Sequence, residues 1–182
     1  MGWSSEQKQK SRANILSSAA ELFTRDGFDN VGIDDVMQHA GMTRGAFYNH
    51  FSSKGELYAE AIMAAAIDSK QRIKSSADIG FSHLIEQYLS LTHRKGEEFR
   101  CPLAFLTTDI NQRDEQVRST YTQVLKGFIN SINQADEKAL SSEKEAMQKA
   151  VLMIGAVAIS RAINDEEYAE KLLSSCKDAV LT

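Results

Sequence analysis

A single proline, Pro102, interrupts 182 residues. Proline breaks helix interiors, so a chain with one proline is free to be helical almost end to end. Apolar residues do recur at helical spacing. Ile15, Ala19, Leu22 and Phe23 stand at i, i+4, i+7 and i+8, and Val117, Tyr121, Val124, Leu125, Phe128 and Ile132 hold one face of a later segment. The punctuation agrees. Gly27 closes the first pattern as a C′ residue, Ser53 to Glu56 and Ser142 to Glu145 read as capping boxes, and Pro102 suits the first turn of a helix. The pattern predicts an all-α fold of about nine helices and no strands. Their cores are Ser5–Arg25, Ile33–His39, Arg44–His50, Ser53–Ser75, Ile79–His93, a short helix from Pro102, and three longer ones opening at Asp114, Ser142 and Asn164–Asp165.

Composition narrows the class. Hydrophobic residues at 42% and charged residues at 25% match a globular chain and argue against disorder. Cys101 and Cys176 are too few for a disulfide framework, which points to a reducing, cytoplasmic setting. The N-terminus shows no leader pattern, and the longest apolar stretch, Ala150 to Ile159, is too short for a membrane span, so no membrane partner is expected. The formal charge of −4 carries no licence for nucleic acid. It is unevenly placed, however. Residues 1–54 hold six basic and six acidic side chains, and residues 55–182 hold fifteen and nineteen.

The informative segment is Val31 to Leu57. Two short helices separated by Ala40-Gly41-Met42 form a helix-turn-helix, whose second helix enters the DNA major groove. Ile33, Val36, Met37, Phe47 and Phe51 are the inward residues. Gly45 and Ala46 remove bulk where the backbone would approach DNA. Thr43, as cap, with Arg44, Tyr48, Asn49, His50 and Lys54, leaves a polar, partly cationic face. Lys8, Lys10 and Arg12 would extend that face.

The run Ala40-Gly41-Met42-Thr43-Arg44-Gly45-Ala46-Phe47-Tyr48-Asn49-His50-Phe51-Ser52-Ser53-Lys54-Gly55-Glu56-Leu57 resembles that of the TetR family of bacterial transcriptional regulators, as does Phe23-x-x-x-Gly27-Phe28 upstream. The resemblance covers about residues 10–60; beyond them only helix number and spacing are similar. Val31-Gly32 departs from it, since the family often caps the second helix with Thr or Ser there. The resemblance implies a homodimer with one head per subunit on a palindromic double-stranded operator, over a ligand-responsive helical body. The head would be residues 1–53 and the body residues 54–182. Thr43, Arg44 and Gly45 would read or approach base edges. Tyr48, His50 and Lys54 would grip the backbone.

Other candidates lie in the body. Cys101, between Arg100 and Pro102 at a helix start, is placed where thiolate is favoured, so effector release by its modification is one reading and plain packing the other. Tyr88, Phe99, Cys101, Phe105, Thr108 and Tyr121 are the candidate lining of a small-molecule effector pocket. Val151, Ile154, Gly155, Ala158 and Ala162 form one stripe. Ala169, Leu172, Leu173, Cys176 and Val180 form another. Together they are the candidate dimer interface, against the alternative that both cover the subunit's own core. No metal spacing, cofactor motif or nucleophile motif frames the remaining residues, so an enzyme is not expected. The expected function is a repressor released by an effector. A second reading is a helical redox or ligand sensor acting through protein contacts rather than DNA.

Overall fold

In the computed structural model, residues 4–74, 80–97, 99–135 and 142–182 are described. Among them are eleven helices and no strand. α1 (Ser5–Asp26) starts at a reciprocal capping box, in which Ser4 Oγ accepts from the Gln7 amide and the Gln7 side chain accepts from the Ser4 amide. It ends at Gly27, whose φ of 79° lies in the left-handed half of the map, with its N–H donating to the Phe23 carbonyl. α2 (Ile33–His39) and α3 (Arg44–Phe47) follow. Gly32 caps α2 without a hydroxyl: its own N–H donates to the Asp35 carboxylate at 2.6 Å. α4 (Lys54–Lys74) packs against α1 with its first half and against α9 (Glu115–Ala135) with its second.

The body continues through α5 (Phe81–Tyr88), α6 (Leu91–Lys95), α7 (Pro102–Phe105) and α8 (Thr107–Ile110) to α9. It closes with α10 (Glu143–Ala162) and α11 (Glu166–Leu181). α10 is the centre of the body, touching α5, α6, α7, α9 and α11. One apolar cluster runs from Ile15, Phe23 and Phe47 through Leu57, Ile62 and Leu103 to Val157 and Leu173. Removing that area from water, at roughly 25 cal/mol per Å², is what holds α4 to both halves.

Eleven helices replace the expected nine because two apolar runs are cut by local backbone chemistry. The expected helix Ile79–His93 breaks at Leu89, and Ser90 then caps a new helix by accepting from the His93 amide at 3.1 Å. The run after Pro102 breaks at Leu106 (φ −115°, ψ 6°), giving α7 and α8. α3 also stops at Phe47, three residues before the expected end, and a turn carries His50. The box opening α4 is shared between two serines. Ser53 Oγ accepts from the Glu56 amide at 3.1 Å, while Glu56 reaches back to the amide of Ser52 at 2.6 Å.

Candidate nucleic-acid interface and ligand cavity

α2 and α3 are held on α1 by buried Val36, Met37, Ala46, Phe47 and Phe51. With those five turned inward, helical spacing sends Thr43, Arg44, Gly45, Tyr48 and Asn49 outward, and all five are exposed. Tyr48 is the largest of them, 59% accessible despite an edge contact with Phe47 at 5.1 Å. Its ring is therefore surface, not core. A Cβ built on Gly45 would meet nothing within 4 Å, so nothing inside the subunit requires glycine there. The Arg44 guanidinium pairs with Asp34 at 2.7 Å across the turn, and both side chains are exposed.

Three expected contacts sit differently. Ala46 is buried, so it fills the head's core rather than facing outward. Thr43 stands at the N-cap of α3, but its side chain accepts no capping bond. Arg12 is engaged: its guanidinium forks onto Glu60 of α4 and lies 4.9 Å over the Phe51 ring. Lys8 and Lys10 remain exposed.

His50 is half-buried, with Nε2 3.0 Å from Ser11 Oγ, and its Nδ1 is enclosed with no protein partner. Burial, then Lys8 and Arg12 nearby, lowers its pKa. Lys54 is half-buried, its ammonium 4.1 Å from the Phe28 ring centroid, and burial lowers its pKa too.

The comparisons with known proteins meet this geometry at the head. Residues 15–61 match the family model described as bacterial regulatory proteins, tetR family. Over those residues the head is similar to the DNA-binding part of the TetR family. Within it, α2 and α3 form a helix-turn-helix of that kind. An uncharacterized HTH-type regulator YfiR of Bacillus subtilis is 33% identical over 73 residues, covering 40% of this chain and 36% of that protein. The HTH-type regulator AcrR of Shigella flexneri is 36% identical over 55 residues, 30% of this chain and 26% of that one. The chain thus matches well under half the length of either relative. The likeness in fold reaches further. A TetR-family regulator from Cytophaga hutchinsonii superposes with a TM-score of 0.81 at 18% identity, covering 100% of this chain and 97% of that one. The reduced form of NemR from Escherichia coli superposes at 0.75 with 20% identity, covering 93% and 96%.

In the body, a cavity of about 410 Å³ opens between α4, α5 and α9, with α7 at its base. Of the six expected lining residues, Tyr88 and Cys101 are there. The other four are elsewhere. Phe99 and Phe105 stack on the buried His93 ring at 4.2 and 5.7 Å. Tyr121 donates its hydroxyl to the Leu103 carbonyl at 2.8 Å, and Thr108 is exposed. The walls come instead from residues the sequence reading missed, chiefly Met63, Ala66, Leu84, Val124 and Phe128. Met63 and Ala66 share a face three residues apart on α4, and Val124 and Phe128 do so four apart on α9. Sequence reads these as ordinary core, and only the folded arrangement of α4, α5 and α9 shows that they border a cavity.

Cys101 is buried, and the Tyr88 hydroxyl lies 3.5 Å from its sulfur. Burial raises its pKa. Of the two readings the sequence leaves open, this favours plain packing: α7 is a four-residue helix, and desolvation of the anion outweighs its N-terminus. Among the described residues no group of His, Cys, Asp and Glu is placed to hold a metal ion, and no helix is long and apolar enough to cross a membrane.

The α10 stripe faces out: Val151 is 67% exposed, with Met147 and Ile159 beside it, while Ala146, Ala150, Met153, Val157 and Ser160 fill the subunit's core. Gly155, Ala158 and Ala162 are half-buried or exposed. Ile154, Ala169 and Leu173 are corrections, since they are buried within their own subunit, as is Val180; Leu172 and Cys176 are half-buried.

Proposed function

We propose that this chain is a repressor that binds a palindromic operator as a homodimer and releases it when a small molecule enters the body cavity. The head is residues 1–53 and the body residues 54–182. The observation that carries the reading is that α4 serves both. Its first turn holds Lys54 and, one turn on, Tyr58 under the head, and its later turns supply Met63, Ala66 and Ser69 to the cavity. A ligand that prefers one position of α4 against α9 changes the spacing of the two heads. It can do so only by its differential affinity for the two states. Heads that fit successive major grooves stand about 34 Å apart.

Thr43, Arg44 and Gly45 read or approach base edges, with Asn49 beside them. Tyr48, His50 and Lys54 position the backbone. The exposed Met147, Val151 and Ala162, with half-buried Gly155 and Ala158 between, pack against their two-fold mates, supported by Leu172 and Cys176. The buried, protonated Cys101 supports noncovalent release over release by thiol modification.

A salt titration of DNA binding tests the reading. Affinity for random duplex falls steeply with salt, with a slope of about −0.9 per phosphate contacted, and one palindrome binds far more tightly. Salt-independent binding, or none to any duplex, would favour a partner protein on the head and overturn the proposal.

A further inference from the structure

The cavity has a sign. Among the described lining residues there is no Asp or Glu, and the one formally charged side chain is Lys70, with His83 a second base. Lys70 Nζ reaches across from α4 to Ser131 Oγ on α9 at 3.2 Å, and Ser131 spends its own proton on the Gly127 carbonyl at 2.9 Å. An ammonium has three donors, so two remain for a ligand. Among the described residues no carboxylate stands within ion-pair distance of Lys70.

Seven residues before Lys70 on the same helix is Met63, and seven before Ser131 is Val124. At 1.5 Å per residue, the polar pair and the apolar wall are about 10 Å apart along both helices. Leu84, Leu103 and Phe128 complete the apolar section.

We infer that the cavity takes a single-chain amphiphile with an anionic head, such as a medium-chain carboxylate. The tail lies against Met63, Leu84, Leu103, Val124 and Phe128, and the carboxylate accepts hydrogen bonds from Lys70 at the open side. This rests on the proposed effector cavity. A cationic head would meet Lys70 with no acid among the described lining residues to offset it, and a neutral head would forgo the charge-assisted bond.

Calorimetric titration with decanoate and decyltrimethylammonium, each below its micelle concentration, and with 1-decanol below its solubility limit, tests this. Decanoate binds the native protein best, and Lys70→Ala weakens it roughly tenfold, a typical loss for a charged hydrogen bond, while leaving decanol unchanged. Lys70→Glu reverses the order in favour of the cation. Gly127→Leu supplies the control. Its Cβ meets nothing within 4 Å and leucine favours helix over glycine, so the variant folds while its side chain fills the cavity, and all three probes are lost. Equal binding of the three probes, or a Lys70→Ala variant with the native order, overturns the anionic ligand and leaves the cavity reading standing. No binding of any probe to the native protein overturns both.

Discussion

Arg113, in the turn between α8 and α9, closes both arms of its guanidinium on the carboxylate of Asp29, 84 positions earlier in the head, at 2.7 and 3.0 Å. The same guanidinium holds Asp109 at 2.9 Å and lies 4.5 Å over the Phe28 ring, whose centroid Lys54 also approaches at 4.1 Å. Tyr58 of α4 donates its hydroxyl to Asp109. Head, α4 and body therefore meet at one charged and aromatic knot.

Arg113→Ala is expected to destabilise the fold by about 1–3 kcal/mol, the usual cost of losing hydrogen bonds to a charged group. Most of that arises at Asp109, which is largely enclosed, because Asp29 is solvent-exposed and can rehydrate. Urea denaturation of the variant measures it. An Arg113→Ala protein as stable as the native one would mean the knot is a surface ornament.

His93 should make the protein acid-sensitive in a defined window. Its ring is fully buried, with Nδ1 2.6 Å from the Tyr88 carbonyl, and burial pulls its pKa down to about 4. A free histidine titrates near 6.5. Between those values the unfolded chain binds the proton and the folded chain does not. Stability is thus fully present above about pH 6.5 and falls as pH drops towards 4. From pH 7.5 to pH 5 the loss attributable to His93 is about 2 kcal/mol. Denaturation of native and His93→Asn proteins at both pH values isolates it, since the carboxylates contribute to both. Parallel pH profiles would remove His93 as the cause.

The exposed α10 stripe separates interface from core. Val151→Glu puts a charge on a position that is open in the subunit, and Met153→Glu puts one in a fully buried site. Val151→Glu is expected to give a folded monomer by sedimentation, with native helical circular dichroism and much weaker operator binding. Met153→Glu is expected to unfold, because an unpaired buried charge costs several kcal/mol. A dimeric Val151→Glu protein would move the interface elsewhere.

The Cys101 thiol is expected to react slowly. Burial keeps it protonated, and the thiolate is the nucleophile. Cys176 is partly accessible, so a thiol-reactive dye should label it first and reach Cys101 only after denaturant is added. Immediate labelling of Cys101 in the native protein would restore the modification reading.

The sequence alone determined what depends on neighbours in the chain. The absence of proline from helix interiors, the apolar period of α1 and α9, and the capping boxes at Ser53 and Ser142 need no tertiary partner, and they specify an all-helical chain. The turn and aromatic residues from Ala40 to Leu57 likewise sit at short fixed offsets, so the helix-turn-helix was legible. The tertiary structure decided everything that depends on a gap between helices. Phe99, Phe105 and Tyr121 share the aromatic character of Tyr88, yet packing against His93 and hydrogen bonding to Leu103 divert them from the cavity. α10 is apolar on most sides, so its sequence cannot say which stripe its own subunit uses; contacts with five other helices select Ala150, Met153 and Val157 and leave Val151 outside. Cys101 reads as an activated thiol from its two neighbours in sequence, and as a protonated core residue once Tyr88 and the surrounding helices remove it from water. Local pattern sets backbone conformation through short-range hydrogen bonds and sterics. Burial and its electrostatics are sums over residues far apart in sequence, and they exist only after the chain has folded.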